Sequence, residues 1–159
     1  VTRDDIRPGE VVADVQPKQD AHVRFIGKIH TPFFTRGECP RQGTQDGPEC
    51  ILELDEEWVP ALKGVEAYDQ LEVLYWLDQA ARDFLLQTPK GKGKPYGTFA
   101  LRSPNRPNPI GTSIVRLERI SGRKVHVRGL DCIDGTPLLD IKPYRGESLP
   151  KIPHLDFGT

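Results

Sequence analysis

Apolar residues in this chain come in short alternating runs, and glycine or proline interrupts them every few residues. Fifteen glycines and fifteen prolines among 159 residues stay below the level that marks a disordered chain, so they read as tight turns between strands. Residues 23–30 (VRFIGKIH) alternate with the period of a strand whose one face is buried. Residues 50–54 and 71–77 (LEVLYWL) are apolar enough for buried strands, and residues 98–101 are expected as a strand that delivers Arg102 at its end. Residues 113–120 and 124–130 form a hairpin across Ser121, Gly122 and Arg123, and residues 138–141 make the last strand. A short helical turn over 56–63 ends at Gly64, whereas 82–86 is too short for periodicity to decide. A further edge strand fits within 11–15. Seven or eight short strands with turn signals between them predict a mainly β fold, a small single-domain β-barrel with short helical segments or its near relative, a sandwich. The chain is long enough to bury one core.

The expected organisation is a polar segment over 1–22, a barrel domain over 23–144 and a tail over 145–159. The tail carries Leu149, Ile152 and Leu155 as anchors for a surface or a partner. No apolar run is long enough to span a bilayer, and no apolar stretch of a secretory leader opens the sequence. Cys39, Cys50 and Cys132 are odd in number and lack metal-ligand spacing, which argues against disulfides and against a zinc ribbon. A reduced, cytoplasmic setting is expected. The four histidines are scattered, so no metal is expected.

The formal net charge of −1 conceals an uneven distribution. Between Lys90 and Arg128 stand ten lysines and arginines and a single acid, Glu118, a stretch of the kind that meets an anionic partner. Arg116, Arg119 and Arg128 lie among alternating strand residues and are expected to face solvent. Arg102 and Arg106 differ. They sit in a loop, Arg102-Ser103-Pro104-Asn105-Arg106-Pro107-Asn108-Pro109-Ile110-Gly111, in which each proline fixes one backbone angle and restricts its predecessor. A stiff loop presenting two planar, permanently charged forks suits a carboxylate or phosphate ligand.

An acidic turn follows, from Asp131 through Cys132, Ile133 and Asp134 to Gly135. Asp131 is placed to meet a cation or hydroxyls, while Asp134 either joins a site or bonds its own turn. Asp140, Lys142 and Tyr144 share one face of the last strand, as a polar cluster or an exposed face. Tyr75 and Trp76 stand in an apolar run and are expected in the core. Pro40, Arg41 and Gln42 fall in a long loop over 31–48, and loops of that length are usually functional or mobile. No phosphate-binding glycine loop, serine elbow or zinc-protease motif is present.

The segment Gly97 to Gly111, and the second segment from Gly129 through Asp134 and Asp140 to Tyr144, resemble the two signatures of the TsaA-like (TrmO-type) family. Gly27 to Pro32 and Pro40-Arg41-Gln42 are similar to it as well. The resemblance covers roughly residues 23–144. It implies a small β-barrel acting as a homodimer, with S-adenosylmethionine as methyl donor and N6 of a threonylcarbamoyl-modified adenosine beside the tRNA anticodon as acceptor. By motif, the cofactor contacts implied are Pro40, Arg41, Gln42, Asp78, Gln79, Arg102, Thr112, Asp131, Cys132, Ile133 and Asp134. Arg106, Asn108, Lys142 and Tyr144 are implied on the substrate side, and Asp131, Asp134 or Asp140 as proton acceptor. The sequence departs from the family at Asp69-Gln70 and at Asp78-Gln79, where histidines are usual. Longer tRNA methyltransferases of the family carry a C-terminal domain beyond the barrel, so two alternatives stand: a non-catalytic sensor module that binds the methyl donor or RNA, and a methyltransferase with a small-molecule acceptor.

Overall fold

The computed structural model describes residues 6–14 and 20–146. Six strands close into an antiparallel barrel: β2 (Gly27–His30), β3 (Glu49–Leu54), β8 (Lys124–Arg128), β7 (Ile110–Ser121), β4 (Gln70–Trp76) and β9 (Thr136–Pro143), in that spatial order, with β9 returning to β2. The mainly β barrel expected from the sequence is the observed fold. Alternation explains the core directly. Cys50, Leu52 and Leu54 of β3, Leu71, Val73 and Tyr75 of β4, and Val125 and Val127 of β8 point inward, and Ile29, Val115, Leu130 and Leu138 complete the interior. Closure leaves the barrel no unpaired edge.

One irregularity in β7 has a clear cause. Leu117 and Ile120 are three apart, so a regular strand would place them on opposite faces. A bulge at Glu118 shifts the register, and Leu117 then pairs with Val127 and Ile120 with Val125. Arg116 faces Arg128 across the ladder, a repulsive pairing on its own. Glu118 Oε1 resolves it by accepting from Arg116 Nη2 at 2.6 Å and from Arg128 Nε at 3.0 Å. Arg119 pairs with Glu49 at 2.5 Å, and Arg123 pairs with Glu53. Arg116, Arg119 and Arg128, expected merely to face solvent, are instead held in ion pairs with glutamates.

A second, three-stranded sheet flanks the barrel, with β1 (Val11–Val12) and β6 (Tyr96–Gly97) on either side of β5 (Phe84–Gln87). Residues 82–86, which periodicity left undecided, thus run into strand β5. The helical turn before Gly64 is a 3-10 helix over Glu56–Leu62, and Gly64 adopts the left-handed region at φ 91°. Residues 98–101 are a correction: Thr98–Ala100 is a 3-10 turn rather than a strand. The Thr98 hydroxyl donates to the Phe84 carbonyl at 2.7 Å and accepts from Gln87 Nε2 at 2.9 Å, which pulls the chain out of the ladder. Strand β2 is also shorter than expected, beginning at Gly27. The Leu149, Ile152 and Leu155 anchors, and Val15 of the expected first strand, lie outside the described residues.

Candidate functional site

The Arg102–Gly111 loop is held from behind by the small sheet. Gln87, 6 % exposed, donates to the Asn105 carbonyl at 2.7 Å. The Asn105 side-chain oxygen accepts from the Ala81 N–H at 3.1 Å, and Arg82 Nε donates to the Pro107 carbonyl at 2.7 Å. Arg106 turns inward on its own loop, and Nη1 donates to the Leu101 carbonyl at 3.0 Å and the Ser103 carbonyl at 3.2 Å. One of the two arginines expected at a ligand is therefore also a brace. Arg102 is exposed and makes no hydrogen bond or ion pair within the described residues.

The acidic turn is locked from the other side. The Asp134 and Gly135 amides donate to the Phe33 and Ile29 carbonyls at 2.7 and 2.8 Å. The Thr31 hydroxyl donates to the Cys132 carbonyl at 2.8 Å. Asp134 Oδ1 accepts from the Thr31 N–H at 3.1 Å and lies 3.6 Å from His30 Nδ1, so this carboxylate ties the turn to β2. Asp131 instead accepts from the Tyr75 hydroxyl at 2.6 Å, and that hydroxyl also bonds Ser113 Oγ at 2.8 Å. Burial, then the Asp131 charge, push the Tyr75 phenol well above its ordinary range, so it stays a neutral donor. Burial likewise pushes the Cys132 thiol far up and the Cys50 thiol up to about 11, which leaves both as packing residues.

The 31–48 loop closes the third wall. Glu38 Oε2 gathers the Phe34 N–H, the Thr35 N–H and the Thr35 hydroxyl at 2.9, 2.7 and 3.0 Å; these bonds hold its carboxyl below the usual range. At Gly43 the loop lies on the backbone of β8's exit. A Cβ there would stand 1.8 Å from the Gly129 carbonyl oxygen, so only glycine permits the approach. Gly111 plays the same part against Tyr75, whose ring a Cβ would meet at 2.2 Å.

Between these walls lies a groove of about 1120 Å³. Of the residues expected at a cofactor, Pro40, Arg41, Gln42, Asp78, Gln79, Arg102, Thr112, Asp131, Cys132 and Ile133 all line it, as does Arg106. Asp134, Asn108, Asp140, Lys142 and Tyr144 do not line it in a single chain. Asp140 pairs with Lys142 at 2.6 Å on the outer face of β9, and this bond raises the ammonium's pKa. Sequence reasoning missed Glu72, which accepts from the Thr112 hydroxyl at 3.0 Å at the groove edge. It also missed the Tyr75 hydroxyl, and Phe99, which lines the groove at 81 % exposure.

Comparison with known proteins follows the same lines. The family described as the tRNA-methyltransferase O N-terminal domain matches residues 28–148. The chain belongs to the tRNA-methyltransferase O family. A probable S-adenosyl-L-methionine-binding protein, VirR, of Rhizobium radiobacter is 55% identical over 148 residues, 93% of this chain and 85% of that protein. The tRNA (adenine(37)-N6)-methyltransferase of Mus musculus is 40% identical over 143 residues, 86% of this chain but 28% of that protein. A crystal structure of TrmO from Pseudomonas aeruginosa superposes with a TM-score of 0.64 at 36% identity, covering 79% of this chain and 56% of that one. The chain thus spans little more than half of that tRNA-methyltransferase O structure. The family resemblance read from the loop and turn motifs is confirmed. Among the described residues, no helix is long and apolar enough to cross a membrane.

Proposed function

We propose that this chain transfers a methyl group from S-adenosylmethionine to N6 of the threonylcarbamoyl-modified adenosine beside a tRNA anticodon. Methyl transfer from this donor is the common ground of the family. A tRNA adenosine is the finer reading, supported by the name of the Mus musculus relative and by Arg36, Arg41, Arg102 and Arg106 along the groove, while its threonylcarbamoyl group rests on the motif resemblance. The observation that carries the proposal is the convergence of three separate segments, around Gln42, Arg102 and Asp131, on one groove.

The residues present fit the donor. S-adenosylmethionine, when bound, brings an electrophilic methyl group on a sulfonium, so the protein's main task is alignment. Arg102 offers a fork for a carboxylate. Tyr75 fixes Asp131 through one carboxylate oxygen and leaves the other to accept from a hydroxyl or an amine. Of Asp131, Asp134 and Asp140, only Asp131 faces the groove, which makes it the preferred acceptor for the proton an N6 amine releases. Thr112 and Glu72 extend the polar wall.

A homodimer belongs to the same proposal. Phe34, Phe99 and Ile110 are exposed apolar residues, and Phe99 and Ile110 border the groove, so a second copy seated there would cover them and shield the reacting atoms from water. The test of function is incubation with labelled methyl donor and tRNA carrying the threonylcarbamoyl group, beside unmodified tRNA. Label in the modified tRNA alone supports the reading. No label in either tRNA, with S-adenosylhomocysteine still binding, refutes the tRNA acceptor and leaves a small acceptor or a donor sensor.

A further inference from the structure

A second cavity opens beside the groove, and methyl transfer as described makes no use of it. It encloses about 570 Å³ between the first described segment, the end of β5 and the start of the Arg102–Gly111 loop. Arg7 and Glu10 form one wall, and both precede the residues matched by the family domain. Arg36 and Arg102 line this cavity and the groove alike, so the cavity is a side chamber of the groove.

Its charge is unbalanced. Three arginines, Arg7, Arg36 and Arg102, line it against the single carboxylate of Glu10. That carboxylate is already engaged: Oε2 accepts from the Arg7 backbone N–H at 2.9 Å and Oε1 from the Thr88 N–H at 2.8 Å. Arg7 Nη1 donates to the Thr88 carbonyl at 2.7 Å, which fixes its fork and leaves further N–H groups to donate. Arg36 and Arg102 have no hydrogen-bond or ion-pair partner within the described residues. On the barrel, by contrast, Arg116, Arg119, Arg123 and Arg128 each hold a glutamate. Ser103 Oγ accepts from the Asn105 N–H at 3.3 Å, and its own hydroxyl proton remains to be donated. With Arg102 given to the donor's carboxylate in the groove, the Arg7 and Arg36 forks and the Ser103 hydroxyl still offer more donors than the engaged Glu10 carboxylate accepts, whereas the oxygens of a phosphate ester match them.

We propose that this chamber is a phosphate-ester subsite, which takes the phosphate of a nucleotide whose nucleoside reaches into the groove. Naming RNA as the source of that phosphate rests on the tRNA reading; the subsite itself does not.

The experiment is binding, with no methyl transfer read, on full-length protein saturated with S-adenosylhomocysteine. The ligands are an anticodon stem-loop RNA, the same RNA with neutral methylphosphonate linkages flanking the target adenosine, and free adenosine 5′-monophosphate. Arg7→Gln is expected to weaken native stem-loop binding roughly tenfold, and to reduce the slope of log K against log salt by about 0.7–0.9. S-adenosylhomocysteine affinity stays unchanged, and Arg7→Lys recovers part of the loss. The neutral-linkage RNA binds more weakly than native RNA and is insensitive to Arg7→Gln. Dependence on Arg7 for adenosine 5′-monophosphate but not for RNA assigns the subsite to a small phosphorylated ligand. Unchanged affinity of a folded Arg7→Gln protein for both RNA and the monophosphate overturns the proposal. Equal affinity of wild-type protein for native and neutral-linkage RNA removes RNA as the source of the phosphate, and that result together with no binding of adenosine 5′-monophosphate to wild-type protein overturns the subsite without needing a variant to fold.

Discussion

Replacing Tyr75 by phenylalanine removes one oxygen from the barrel wall and with it two hydrogen bonds. The ring is 2 % exposed and its volume is kept, so no cavity penalty arises. The bond to Asp131 at 2.6 Å involves a charged acceptor and is worth about 1.5–3 kcal/mol, and the bond to Ser113 at 2.8 Å about 0.5–1.5 kcal/mol. Both partners are half-buried at the groove, where water replaces part of what is lost, and the variant no longer buries a hydroxyl. The net expectation is a stability loss of about 1–2 kcal/mol, and a melting temperature lower by roughly 2–8 °C. The functional effect is separate: Asp131 loses the donor that orients it, and S-adenosylhomocysteine affinity falls about tenfold, equivalent to about 1.4 kcal/mol. Urea unfolding followed by tryptophan fluorescence gives the first quantity and calorimetry the second. A pH series adds an independent check. The raised phenol pKa favours the protonated form in the folded state, so its stabilising contribution is full below the unfolded tyrosine value near pH 10 and declines above it. The share of the alkaline decline due to Tyr75 is expected in the wild type and lost in Tyr75→Phe, which keeps the share due to the buried Cys50 and Cys132 thiols, so the variant's decline is shallower. A variant with wild-type stability and wild-type affinity would refute the claim that Tyr75 holds the acidic turn.

Gly111→Ala forces a methyl against the Tyr75 ring between two paired strands; a loss of about 1–3 kcal/mol is expected in denaturant unfolding, together with weakened cofactor binding. Arg102→Ala is expected to weaken S-adenosylhomocysteine binding by about 1.5–3 kcal/mol, and unchanged calorimetric affinity would remove Arg102 from the cofactor site. Asp140→Asn breaks an exposed pair on the outer face and is expected to leave cofactor affinity unchanged and stability within about 0.5 kcal/mol, whereas a tenfold loss of affinity would return Asp140 to the site. Hydrogen bonds from Arg119, from His30 and Arg123, and from Arg116 depress the carboxyl pKa values of Glu49, Glu53 and Glu118. Their stabilising contribution is full above the unfolded value of 4.5 and is lost as pH falls through the lower folded values. Acid unfolding monitored by circular dichroism should therefore begin below about pH 4.5, and Glu118→Gln, which leaves Arg116 opposite Arg128, should be less stable than wild type at neutral pH.

How much of this was legible in the residues depends on whether the cause is local. Alternation in CILEL, LEVLYWL and VHV is set by the pleat, so the strands and the inward set could be read from a few neighbours at a time. The rigidity of the Arg102–Gly111 loop follows from its prolines and was equally visible. The 3-10 turn at Thr98–Ala100 was not, because it is decided by partners elsewhere along the chain. Thr98 leaves the ladder because of Phe84 and Gln87, and no propensity of the TFA triplet records that. Tyr75 shows the same limit within the site. An apolar run around it correctly predicts a buried ring. Its hydroxyl, however, meets Asp131 because β4 lies beside β9, whose preceding turn carries Asp131, 56 residues separating the pair in sequence. Arg106 shows the converse: its chemistry suits a ligand, but the Leu101 and Ser103 carbonyls a few residues away claim part of its fork first. Arg102 and Arg106, nearly indistinguishable in sequence, thus divide into one residue that presents charge to the groove and one that shapes the loop presenting it. The division arises from what each guanidinium finds within reach once the small sheet has pinned the loop at Asn105. Gln87, Ala81 and Arg82 together tie that loop to residues outside the groove.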